Sequence, residues 1–119
     1  EGIGNLFARG KIIGDGSNHV EGAEAVCAMF TATTRRYKDG TPCTHHVTTN
    51  ISIEVNVNSA ESRSYFTVFQ GLEDFPLQVI ITGQYFDTFA LHSDGWWFNS
   101  RQMDIAQVGD ISRHLLIDL

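Results

Sequence analysis

Two adjacent histidines, His45 and His46, open the stretch of this chain whose residue types best suit proton transfer. An imidazole titrates near neutral pH. It can therefore remove a proton beside a carbonyl and return it elsewhere, the two steps that dehydration and isomerisation need. The residues that follow decide which ring faces a ligand. Val47, Ile51, Ile53, Val55 and Val57 alternate with Thr48, Asn50, Ser52, Glu54 and Asn56, a period of two that predicts a half-buried strand. Counted back from Ile51 and Ile53, this alternation puts His45 on the apolar face and His46 on the polar one. As a metal pair the two are poor, because neighbouring strand residues point to opposite faces. Asn50 can orient His46 or a ligand oxygen.

Asp87 and Arg101 stand on the two arms of a hairpin that turns at Asp94–Gly95. Dry and unpaired, Asp87 is a candidate base with a raised pKa. Paired with Arg101 across the hairpin, it is a structural ion pair. Asp104 is a further carboxylate, read more simply as solvated. Tyr65, Phe66, Phe69, Tyr85, Phe86, Phe89, Trp96, Trp97 and Phe98 supply aromatic surface, which alternation divides between two sheet faces. On a concave face Tyr65, Phe69, Tyr85 or Trp97 can stack on a flat ligand. On the other face such rings suit dimer packing.

These residues need strands to position them. Leu6–Gly16 reads as a first strand with a turn at Asp15–Gly16. Helical spacing of Val26, Met29 or Phe30, Thr33 and Tyr37 predicts a helix over 23–37, stopped at Lys38–Asp39–Gly40. Strands then follow from His45, over 62–70, over 77–91 and over 96–108, with turns at Asn58–Ser59, Glu73–Pro76 and Ser93–Gly95. Antiparallel hairpins behind one helix describe an α+β domain with a curved sheet. One helix is a small cover for so much apolar strand, so further helices before Glu1 or a partner chain are expected to complete it.

At 119 residues the chain fits one domain, residues 1–119. Its formal net charge of −6 repels phosphate backbones and argues against nucleic-acid binding. No apolar run reaches membrane-spanning length. The glycine-rich Ile12–Ser17 lacks the lysine of a phosphate loop. Cys27 and Cys43 show no metal-finger spacing, and Cys27 reads as a buried reduced thiol. A cytoplasmic location is expected.

In order, THHVTTNISIEV, SYFTVFQ, FPLQVIITGQYFDTF, DGWWFNSR and VGDISRHL resemble the SnoaL-like proteins of the nuclear transport factor 2 superfamily, which includes scytalone dehydratase, ketosteroid isomerase and polyketide cyclases. The Gly83, Tyr85, Asp87, Phe89 element with Asp94, Gly95, Trp97 and Arg101 carries the likeness most specifically. It implies a cone-shaped α+β barrel: a curved antiparallel sheet wrapped around a helix. Capping helices usually precede the first strand, whereas this sequence starts almost at it. The resemblance implies a hydrophobic small-molecule ligand, no cofactor and a homodimer through the sheet. It favours His46 as the pocket histidine, which a bulge between Thr44 and Asn50 would reconcile with the alternation. Phe69 stands where the dehydratase has a second histidine, against scytalone-type dehydration specifically. Asp104 falls near the last-strand aspartate of the cyclases. Three functions remain open: a proton-transfer enzyme, a ligand-binding module without turnover, or a small assembly subunit of a larger enzyme.

Overall fold

A computed structural model describes residues 2–14 and 18–119 of the chain. The turn expected at Asp15–Gly16 lies outside the described residues. The elements are α1 (Gly2–Leu6), β1 (Lys11–Ile13), β2 (His19–Glu21), α2 (Ala23–Thr33), β3 (Thr44–Asn56), β4 (Ser59–Leu72), β5 (Phe75–His92) and β6 (Gly95–Val108). The strands form one six-stranded sheet in the order β2-β1-β6-β5-β4-β3. From β3 to β6 the chain is a meander of three long hairpins, as the period-two patterning predicts. The sheet is mixed rather than wholly antiparallel, because β1 runs parallel to β6, Ile12 opposite Arg101. The first strand is also shorter than expected, since Leu6 ends a helix and residues 7–9 form a turn.

β4 sets the two faces. Ala60, Ser62, Ser64, Phe66, Val68 and Gln70 are buried, while the intervening residues point outward. Direct cross-strand partners share a face, so the inner face includes Tyr85 opposite Ser64, Asp87 opposite Ser62, and Arg101 opposite Asp87. Register shifts along all three hairpins mark irregularities of the kind that bend strands and tighten their twist.

α2 buries Val26 against Phe7 and Ile12, with Met29, Phe30, Phe98 and Met103 packed around them. It ends at Thr33, a turn short of the expected Tyr37. Thr34 is extended and bridges Leu115, so a tertiary strand contact overrides helical spacing in a threonine-rich segment of low helix propensity. A second cluster, Phe66, Val68, Phe75, Ile80, Ile81 and Tyr85, lies along β4 and β5, and Met103 packs against both.

β3 departs from the half-buried expectation. Ile51, Ile53 and Val55 are 59 %, 59 % and 61 % exposed. Ile53 and Val55 lie opposite buried Ser62 and Ala60, so they share the inner face, but on an edge strand with no further strand beside it among the described residues. The molecule measures 49 × 29 × 27 Å, and this long hairpin protrudes past its helical cover.

A candidate small-molecule site in the cone

The inner face encloses a cavity of about 610 Å³, walled by Phe66 and Val68 of β4, Ile81 and Tyr85 of β5, Arg101 and Met103 of β6, and Met29 and Phe30 of α2. His46 enters it from β3, and His114 and Leu115 from the C-terminal segment. Exposed Ile3, Ile105 and Ile117 form part of its rim, which leaves one side open.

Register decides between the two adjacent histidines. His46 lies opposite Val68, a cavity residue, and His45 opposite Phe69 on the outer face. The irregularity in β3 falls between Thr49 and Ser52, with Asn50 in the left-handed region at φ 54°. It therefore lies between the histidines and Ile51, and the count back from Ile51 loses its phase there. His46 is exposed to solvent, yet neighbouring protein atoms partly desolvate its ring. That desolvation, with the nearby His45, lowers its pKa below the ordinary histidine value.

Tyr85 stacks on Phe66 at 4.4 Å and carries the Arg101 guanidinium 3.8 Å from its ring centroid. Burial raises its phenol pKa, opposed in part by the Arg101 charge. Arg101 donates from Nε and Nη2 to the two oxygens of Asp87 at 2.8 and 3.0 Å. Asp87 is 5 % exposed and sits behind the guanidinium rather than on the cavity wall. The other residues singled out in the sequence lie elsewhere. His45 meets the Phe69 ring edge-on at 6.3 Å, and Tyr65 is 49 % exposed on the same outer face. Asn50 is exposed at the bulge. Trp97 lies under Arg9, and its Nε1 donates to Asp94 at 3.0 Å. None of these five lines the cavity.

His114 and Gln70 escaped the sequence reading. The C-terminal segment folds back under α2, Arg35 N donating to His114 O at 2.7 Å and Leu116 N to Thr33 O at 2.9 Å. Gln70 is buried, and its Nε2 donates to Pro42 O and Arg113 O at 3.1 and 2.9 Å. Tyr37 Oη also donates to Arg113 O. Asp110 accepts from Ser112, and Arg113 pairs with Asp74. The only sequence signal for His114 was the closing VGDISRHL. Among the described residues no three His, Cys, Asp or Glu side chains cluster as metal ligands, and no helix is long and apolar enough to cross a membrane.

A profile of the SnoaL-like domain matches residues 1–102. The chain belongs to the SnoaL-like domain family. Solved structures share the fold of this SnoaL-like chain. A function-unknown protein of Mycobacterium tuberculosis superposes with a TM-score of 0.72 at 21 % identity, over 91 % of this chain and 60 % of its own. An NTF2-like protein with a cystatin-like fold from Novosphingobium aromaticivorans gives 0.72 at 16 %, over 95 % and 73 %. A candidate scytalone dehydratase from the same organism gives 0.67 at 23 %, over 92 % and 72 %. These likenesses establish the NTF2-like cone fold. The chain spans 60 % of the length of the mycobacterial structure. Among curated proteins, none matches it.

Proposed function

We propose that this SnoaL-like domain binds a neutral, hydrophobic, oxygenated small molecule and moves a proton on it, as dehydratases, isomerases and cyclases do. The observation that carries this reading is the position of His46. An imidazole with a lowered pKa stands at the edge of an apolar cavity of about 610 Å³, where its neutral form can accept a proton from carbon. Tyr85 and Arg101 are oriented to hold a ligand oxygen, and Asp87 acts through Arg101 by fixing its guanidinium.

Deuterium exchange beside the carbonyl of β-tetralone, followed by proton NMR in D2O, tests this without knowledge of the natural substrate. His46→Gln and His46→Ala are each expected to lower the protein-catalysed rate by roughly 10²-fold or more. The neutral ring is the active base, and its pKa is lowered. The rate should therefore hold to a lower pH than an ordinary histidine allows, then fall as the ring protonates. Undiminished exchange in both variants would sink the proposal.

The open rim formed by Ile3, Ile105 and Ile117 favours a second reading, a binding module without turnover. It calls for ligand-dependent thermal stabilisation with no exchange. In either case we place a homodimer contact on the outer sheet face, where Tyr65 and Val79 are 49 % and 45 % exposed. Sedimentation should give twice the chain mass, and Tyr65→Glu should reduce it to one. The free thiols of Cys27 and Cys43 fit a cytoplasmic setting.

A further inference from the structure

His114 has no part in the proton-transfer reading, yet it is among the most enclosed polar side chains of the cavity. It is 8 % exposed, and its Nδ1 has no hydrogen-bond partner among the described residues. Its ring centroid lies 6.5 Å from that of His46, with the planes 69° apart. Both rings face the same cavity. Gln70 ties the carbonyl beside His114 to the one at Pro42, which precedes β3 and His46, so the two imidazoles are held from one point.

The spacing selects what fits between them. A direct nitrogen-to-nitrogen hydrogen bond would bring the centroids to about 5 Å, closer than observed. A metal ion held by both rings in tetrahedral geometry would also need about 5 Å. One oxygen atom bonded to both at ordinary length, with a tetrahedral angle, needs about 6.4 Å. We propose that His46 and His114 form a two-imidazole clamp on a single hydroxyl oxygen of the bound molecule. A neutral imidazole offers one donor and one acceptor, and a hydroxyl offers both in return. It donates to one ring and accepts from the other. An ether or a carboxylate only accepts, so it fits the clamp less well. Desolvation keeps both rings toward their neutral forms, which supports this pairing.

The clamp rests on the cavity reading above, and the probes separate the two. Naphthalene, β-methoxynaphthalene and β-naphthol are titrated into the isotope-labelled full chain, with the ring nitrogens of His46 and His114 followed by NMR. β-Naphthol is expected to bind about tenfold tighter than either other compound, the ordinary worth of a satisfied buried polar contact. Both rings should shift on one binding curve with β-naphthol, and His114 should not shift with naphthalene. In His114→Phe the preference for β-naphthol should collapse to within about twofold while naphthalene still binds. Equal affinities for the three compounds, or movement of the His46 ring alone, overturns the clamp and leaves the cavity standing. Failure of all three to bind overturns the cavity reading and the clamp with it. Because the shifts are read on the unaltered chain, the outcome stands even if the variant does not fold.

Discussion

Replacing Asp87 by alanine is expected to destabilise the fold by about 3 kcal/mol, measured by urea unfolding. Removing one partner of a buried ion pair leaves the other charge without compensation, at a usual cost of about 3–5 kcal/mol. The low end applies because Arg101 is 22 % exposed and lines the cavity rather than lying wholly within the protein. The double change Asp87→Ala with Arg101→Met should recover most of the loss, since no unpaired charge remains. A loss below about 1 kcal/mol in the single variant would show that water already solvates the guanidinium, and that Asp87 does not fix it.

Gly83→Ala is expected to cost at least as much, for a steric reason. A Cβ on Gly83 would overlap the Asp104 carbonyl oxygen and lie 2.6 Å and 2.7 Å from Phe66 Cζ and Cε1. Phe66 is stacked on Tyr85, and the carbonyl belongs to the neighbouring strand β6, so neither can yield cheaply. Overpacking of this kind costs about 1–3 kcal/mol or more, and 3 kcal/mol corresponds to a fall in Tm of roughly 10 °C for a chain of this size. Calorimetry measures it directly. A shift under about 3 °C would mean that β5 and β6 separate easily at their bulge. The substitution should also disturb Tyr85, and with it any ligand stacked there.

Much of this fold was legible because its information is local. Alternation along residues 44–108 and the Asp94–Gly95 turn are short-range patterns, and they return the three hairpins with strand ends within three residues of the observed ones. The Asp87–Arg101 pair was legible for the same reason, as it spans one hairpin. What failed to show is long-range. The parallel seat of β1 against β6, the arrest of α2 at Thr33 and the burial of His114 all depend on segments distant in sequence. Nor does period-two patterning say whether a strand is covered, so β3, exposed along most of its length, read the same as a half-buried strand. The count that put His45 inward crossed a bulge at Asn50, and one irregular residue reverses every side chain before it. Position along the chain alone gave no reason to associate His114 with His46.

The parallel contact between β1 and β6 has a consequence for how the molecule is made. β1 finds its inner neighbour only at Ser100–Gln102, and the cluster of Phe7, Ile12 and Val26 packs against Phe98 and Met103. On a ribosome that cluster waits, with its apolar surface unfinished, until β6 has emerged. Contacts so far apart in sequence carry a large loop-closure cost and set a slow pace for the last step of folding. The β3–β6 meander can assemble strand by strand. The N-terminal arm closes last, and it is the part of the nascent chain that most needs shielding.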